Sequence, residues 1–208
     1  MLQDKYLKEF SSPQSESLEW LERETNLRTN HSRMLSGQVM GRFLSFVSQM
    51  VMPQRILEIG TFTGYSTIAL SAGLADDGII DALELNDELE DLILEAFERA
   101  GIKERVRLHI GDAKAILPNL DEIYDLVFID ANKREYLTYY NLIFDKVRSG
   151  GFIIADNVLW DGKVFDVENN KDAQTIGIQQ FNEFIKNDER VENVILSIRD
   201  GINLIRKK

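Results

Sequence analysis

From residue 55 onward, strand-sized apolar runs alternate with helical segments, and this alternation constrains the fold more than any other feature of the sequence. "RILEIG" (55–60) is an apolar run that stops on glycine, and "YSTIALSAGL" (65–74) follows with helical spacing. "GIIDALEL" (78–85) reads as a second strand. Asn86 then caps a helix, "DELEDLILEAFERAG", in which Leu89, Leu92, Ile93 and Phe97 recur at helical spacing and Gly101 closes the end. "RVRLHI" (105–110) and "YDLVFID" (124–130) are the third and fourth strands. "REYLTYYNLIFDKVRSG" (134–150) reads as a helix stopped by glycine, "GFIIADNV" (151–158) as the fifth strand, and "DAQTIGIQQFNEFIKND" (172–188) as a helix. "VENVILSIR" and "INLIRK" are two last strands joined at Asp200-Gly201, a hairpin signal. Strands separated by helices need right-handed crossovers, so the spacing predicts an α/β chain with a mostly parallel, doubly wound sheet and one antiparallel strand from the final hairpin.

In open sheets of this kind, ligands bind beyond the carboxyl ends of the strands. Those ends carry Glu58, Gly60 and Thr61 after strand one, and Glu84 after strand two. Gly111, Asp112 and Ala113 follow strand three, Asp130 closes strand four, and Asp156 and Asn157 close strand five. Five polar or glycine ends after apolar runs mark one site. The first 50 residues are polar and helix-prone and read as an N-terminal helical cap on a core of residues 51–208. Together they form a single domain spanning 1–208. Segment 159–171, "LWDGKVFDVENNK", is a long polar loop with aromatics placed directly after strand five, a position suited to binding substrate.

Charge and composition exclude several classes. The net charge is −11, whereas a nucleic-acid binder usually shows a basic face. The only basic cluster is Arg206-Lys207-Lys208, read as a solvated end. With no cysteine, the chain has no disulfide framework and no thiolate site, which fits a cytoplasmic protein. No apolar run is long enough to cross a bilayer and no window resembles a signal peptide.

"LEIGTFTGYST" (57–67) is a strand-to-helix turn of pattern E-x-G-x-x-x-G. Gly60 allows the tight turn and Gly64 lets the helix begin close to a ligand. Phe62 stands where the dinucleotide pattern needs a glycine to admit a pyrophosphate, so the turn suits a nucleoside ligand without phosphates. Glu84, 24 residues past Gly60, is placed to accept both hydroxyls of a ribose; its structural alternative is to cap the next helix. Glu58 lies inside an apolar run and needs a partner, either a cationic ligand group or a local hydrogen bond.

Taken together, "LEIGTFTGYS", "LELN", "GDA", "FIDANKREYLTYY" and "ADNVLWDGKV" resemble the cation-dependent, S-adenosylmethionine-dependent O-methyltransferases of the caffeoyl-CoA and catechol type. The resemblance covers roughly residues 34–208. It implies a Rossmann-like, doubly wound, seven-stranded sheet with an antiparallel last strand, which agrees with the strand count above. It also implies that Ser36, Glu58, Gly60, Thr61, Ser66, Glu84, Asp112, Ala113 and Asp130 contact S-adenosylmethionine. Asp130, Asp156 and Asn157 would be the three ligands of a divalent cation, Mg²⁺ first, with Ca²⁺ or Mn²⁺ as alternatives. Asn132 departs from the family's D-A-D-K pattern, and glutamate stands at the ribose position where plant members often carry aspartate. A homodimer is a further implication.

Three oxygen ligands select hard cations and leave positions for vicinal hydroxyls, the cation serving as template and Lewis acid. A phenol of pKa about 10 is a poor nucleophile at neutral pH, so Lys133 is read as the group that takes the proton or steadies the phenolate, with Asp130 beside it. The alternative for Lys133 is an ordinary first-turn lysine, and for Asp156-Asn157 a loop-starting turn. Trp160 either walls the acceptor pocket or anchors its loop. Tyr136, Tyr139 and Tyr140 read mostly as packing residues, and His109 as structural. The expected substrate is a free catechol-like or other hydroxylated aromatic molecule, because coenzyme A esters add negative charge to an acidic partner. The alternatives are a transfer RNA hydroxyuridine methyltransferase and a nicotinamide-dependent dehydrogenase.

Overall fold

The apolar runs form strands β1 (Arg55–Ile59), β2 (Ile79–Glu84), β3 (Val106–Ile110), β4 (Tyr124–Ile129), β5 (Val147–Asp156), β6 (Val191–Leu196) and β7 (Ile202–Lys207). In the computed structural model, which describes residues 2–166 and 168–208, they lie in one sheet of order β3-β2-β1-β4-β5-β7-β6. Met1 of the N-terminal cap and Val167 of the 159–171 loop lie outside the described residues. Neighbouring strands from β3 to β5 are parallel, and β7 runs antiparallel to both β5 and β6. The chain winds outward from β1 to β3, then returns to the middle to start β4. The strand order therefore reverses between β1 and β4, where a crevice must open.

Helices cover both faces, and for that reason the central strands are mostly apolar instead of alternating, with Glu58 and Asp81 as buried exceptions. On one face Leu57, Ile59, Val127, Ile129 and Ile153 meet Tyr136, Tyr140 and Ile143 of α7 (Tyr136–Ile143) and Ile178, Phe181 and Ile185 of α8 (Ala173–Asn187). On the other, Ile56, Ile80, Leu126, Phe128 and Ile154 meet Met40, Leu44 and Val47 of α3 (Gly37–Val51), together with Ala69 and Leu70 of α4 (Tyr65–Ser71). Each fully buried leucine, isoleucine, valine, methionine or phenylalanine among them contributes roughly 1.5–3 kcal/mol relative to exposure. The two earlier helices of the cap are Leu2–Glu9 and Glu16–Arg28; the second packs Leu18 and Leu21 against Tyr65, Ile68 and Phe97. The third, α3, is part of the sheet's own helical layer, because Met40, Leu44 and Val47 form one apolar stripe.

Three expectations are corrected. The 134–150 helix ends much earlier: a 3-10 turn (Lys133–Glu135) leads into α7, a second turn (Phe144–Lys146) follows, and β5 already begins at Val147. Val147 is buried and pairs with Tyr124, while the Arg148 guanidinium lies 2.6 Å from Asp125, so this stretch gains more as strand than as helix. The last hairpin is not a tight Asp200-Gly201 turn. β6 stops at Leu196 and residues 197–201 form the connection, with Arg199 and Gly201 both at positive φ. The basic tail is not a solvated end either: Lys207 belongs to β7 and its Nζ donates to the carbonyls of Phe144 and Val147, both at 2.8 Å.

Candidate active site

The crevice beyond β1 and β4 is a cavity of about 690 Å³. Its wall brings together Ser36, Gly60, Thr61, Ser66, Glu84, Asp112, Ala113, Asp130, Lys133, Asp156, Asn157 and Trp160. The two strand ends touch closely. Gly60 has φ +98, and a Cβ built there would collide with the Asp130 carbonyl. Glycine is needed for both the backbone conformation and the space. Gly64 serves differently from the expectation: its missing Cβ faces Phe97 of α5 (Glu90–Arg99), 2.7 Å from the ring, so this glycine seats α4 on α5 and does not face a ligand.

One half of the cavity suits a nucleoside and an amino acid. Glu84 is held by two backbone donors, with Phe62 N–H at 2.6 Å from Oε2 and Asn86 N–H at 2.9 Å from Oε1. Burial pushes its carboxyl above the usual range. Each oxygen keeps a lone pair, so the carboxylate is oriented and still able to accept. The helix-capping alternative is filled by Asn86, whose side chain accepts from Glu88 N–H at 3.1 Å. Asp112 caps the short helix Ala113–Ile116, accepting from Lys114 N–H at 2.9 Å.

Glu58 is fully buried on β1. Its Oε2 accepts from Thr61 at 3.2 Å and from Thr67, while Oε1 has no hydrogen-bond partner. Burial pushes its carboxyl up to about 7. A buried carboxylate oxygen without a donor is costly, yet Glu58 itself does not line the cavity: the wall there is formed by Ile59, Gly60, Thr61 and Ser66. The structure shows the local hydrogen bonds of Glu58 and, unlike the other residues expected to contact the cofactor, does not bring it to the cavity wall.

The other half carries the acids of β4 and β5. Lys133 Nζ lies 2.5 Å from Asp130 Oδ1 and donates to the Tyr136 hydroxyl at 2.8 Å. Its side chain is 9% exposed, so it is no ordinary surface lysine. The turn that carries it fits because α8 has glycine at 177, where a Cβ would press on the Lys133 carbonyl at 2.6 Å. Asn132, the departure from the family pattern, caps this turn by accepting from Arg134 N–H at 3.3 Å. Asp156 is buried; its Oδ1 accepts from Asn157 N–H at 2.7 Å, and burial together with the Asp130 charge raises its carboxyl to about 7. Asn157 sits at φ +57, in the left-handed region that asparagine tolerates.

Two acids in one low-dielectric wall, next to an amide oxygen, form a donor set suited to a hard cation. Among the described residues no group of three or more histidine, cysteine, aspartate or glutamate side chains is placed to hold a metal, so the set depends on Asn157 for its third ligand. Trp160 lines the same half, its ring 6.0 Å from Lys133 Nζ and its indole nitrogen buried without a partner. His109 is structural as expected, 2.8 Å from the buried Asp81.

Two participants escaped sequence reading. Tyr136 reads as packing, yet its hydroxyl accepts from Lys133 and donates toward the carbonyls of Asp156 (3.0 Å) and Ile129 (3.2 Å). Burial and the neighbouring acids hold its phenol well above the ordinary tyrosine range, so it stays neutral. Its spacing three residues past Lys133, on a helix start, is the signal that marks it. Arg199 also lines the cavity, and no sequence motif points to it.

Comparison with known proteins bears on this site. The O-methyltransferase family model matches residues 8–208. Caffeoyl-CoA O-methyltransferase 5 of Nicotiana tabacum is 32% identical over 196 residues, which cover 89% of this chain and 82% of the relative. The O-methyltransferase from Bacillus cereus, solved in complex with SAH, is 30% identical with TM-score 0.90 and covers 100% of this chain and 98% of its own. The O-methyltransferase TomG from Streptomyces achromogenes, solved with SAM and involved in tomaymycin synthesis, gives TM-score 0.92 at 27% identity, covering 100% and 96%.

Proposed function

This chain belongs to the O-methyltransferase family, as an S-adenosylmethionine-dependent enzyme of the caffeoyl-CoA type, and from that premise we propose that it methylates one hydroxyl of a free catechol-like acceptor with the help of a divalent cation. A single observation carries the proposal: one cavity joins a nucleoside-shaped half, walled by Gly60 and Glu84, to a half holding Asp130, Asp156, Asn157 and Lys133.

In this reading S-adenosylmethionine supplies an electrophilic methyl group on sulfur. Glu84 accepts the ribose hydroxyls and Gly60 and Ala113 admit the nucleoside, while Glu58, buried behind the wall at Thr61, has the orphan oxygen that the amino-acid ammonium would satisfy. Thr61, Ser66, Asp112 and Ser36 complete the wall. Asp130, Asp156 and Asn157 would hold the cation, Mg²⁺ being the first choice for an all-oxygen set, and it would supply Lewis acidity and a template for vicinal hydroxyls.

The remaining work falls to the chain's own side chains. Lys133, aimed by Asp130 and Tyr136, stands beside the place of the acceptor hydroxyl, where its ammonium steadies the oxyanion. Trp160 walls the acceptor ring. A transfer in which opposite charges cancel is favoured where bound cofactor and acceptor displace water from the cavity. The net charge of −11 disfavours acceptors bearing several phosphates, so free hydroxylated aromatics are preferred over coenzyme A esters. No helix among the described residues is long and apolar enough to cross a membrane. The homodimer implied by the resemblance, and the cytoplasmic setting that a chain without cysteine fits, stay part of this proposal. Tyr6, Phe10, Phe46 and Met50 are exposed surface that a second copy would cover.

The test is S-adenosylhomocysteine release from S-adenosylmethionine with a panel of catechols, caffeoyl-CoA among the comparisons, with Mg²⁺ and with EDTA. Catechol turnover abolished by EDTA supports the reading. Cofactor binding without turnover on any small acceptor would move the acceptor to a hydroxylated uridine in transfer RNA.

A further inference from the structure

Arg199 sits in the connection between β6 and β7 at φ +51, a left-handed conformation that strains any residue with a Cβ. Such a conformation persists where surrounding contacts hold it. Here Nη1 donates to the carbonyl oxygens of Leu35, at 3.1 Å, and Ser36, across 163 residues of chain. The guanidinium is thereby pinned to the segment that leads into α3, at the rim of the cavity.

Four basic side chains line this cavity: Arg33, Lys114, Lys133 and Arg199. Lys114 is taken by Glu135 and Lys133 by Asp130. Arg33 and Arg199 are both exposed at the rim, and among the described residues only Arg199 carries a tether of this kind. Arg199 has no carboxylate partner among the described residues, in a chain with 35 acidic side chains. With Nη1 engaged, Nη2 and Nε remain as donors in the fork geometry that matches a carboxylate.

We propose that Arg199 is a carboxylate-binding residue of the cavity. The proposal rests on the methyltransferase reading, in which two carboxylates can reach this rim: that of the methionine part of the cofactor, and one borne by an acidic catechol. The tether fixes the guanidinium before the ligand arrives, so little side-chain freedom is lost on binding. Ser36, whose carbonyl Arg199 holds, is itself a proposed cofactor contact.

The experiment pairs ligands that differ only in the carboxylate, on wild type and on Arg199→Gln. Calorimetry compares S-adenosylmethionine with decarboxylated S-adenosylmethionine, and steady-state kinetics compares KM for 3,4-dihydroxybenzoate with KM for catechol. Wild-type affinity for S-adenosylmethionine checks the underlying cofactor reading separately from the variants. A charge-assisted contact predicts a loss of about tenfold or more for one carboxylated ligand, its partner changing less than about twofold. Loss confined to S-adenosylmethionine assigns the cofactor carboxylate, and loss confined to 3,4-dihydroxybenzoate assigns the acceptor's. Equal losses within both pairs would reduce Arg199 to a strap for the Leu35–Ser36 segment and overturn the proposal, as would no loss in either. Arg199→Gly relieves the left-handed strain, so it keeps the comparison available if the glutamine variant folds poorly.

Discussion

The Lys133 ammonium lies 2.5 Å from Asp130 Oδ1, and the carboxylate that anchors it closes the strand just before its own turn. This ion pair, buttressed by the Tyr136 hydroxyl, puts a buried cation against the acids proposed to hold a metal. Lys133→Met should lower kcat by about 10²–10³-fold, the usual contribution of one donor to a developing oxyanion, and leave S-adenosylhomocysteine affinity within about threefold. Single-turnover kinetics with calorimetry on the same preparation checks both halves.

Asp130→Ala should abolish cation-dependent turnover while S-adenosylhomocysteine still binds. Removing one of three oxygen ligands leaves an incomplete donor set, whereas Glu58 and Glu84 are held by contacts of their own. Turnover that persists in EDTA would remove Asp130 from the metal-binding role.

Gly60→Ala should cost about 2–4 kcal/mol of stability and most of the activity. The new Cβ meets the Asp130 backbone at φ +98, where neither neighbour yields easily. Urea denaturation gives the stability change. A change below 0.5 kcal/mol would show that the two strand ends part readily.

Glu58 makes stability depend on pH in a known direction. Burial raises its folded carboxyl to about 7 from 4.5, so across that window the folded chain holds a proton that the unfolded chain has released. Its contribution is fully present below 4.5 and is lost as pH rises through 7. Glu58→Gln, which cannot ionise, should flatten that slope. Thermal unfolding of both proteins between pH 5 and pH 8 provides the comparison.

A homodimer should appear in light scattering at micromolar concentration. Phe46→Glu and Met50→Glu together should shift it to monomer with the fold intact, because both side chains are exposed on α3. A wild-type monomer would remove this part of the proposal.

Strand-to-helix alternation and the polar residues after each apolar run were enough to place seven strands and to collect most of the cavity wall, because β period, glycine turns and caps are local properties of the chain. Boundaries were less legible. Val147 and Arg148 look helical by neighbourhood, but pairing with Tyr124 and an ion pair with Asp125 draw them into β5, and those partners lie more than twenty residues away. The basic tail was misjudged for the same reason, since the carbonyls that bind Lys207 belong to Phe144 and Val147.

By itself, then, the sequence determined the parallel sheet, the glycine at the β1 turn and the acids at the strand ends, each through chemistry reaching only a few residues along the chain. Tertiary structure decided what those residues meet. It gave Gly64 to Phe97, left one oxygen of Glu58 without a donor, joined Lys133 to Tyr136, and brought Arg199 to Ser36. Apart from Lys133 and Tyr136, three residues apart, these relationships depend on how separate elements pack, and no periodicity or motif along the chain encodes a contact whose two halves are set by different layers of the fold.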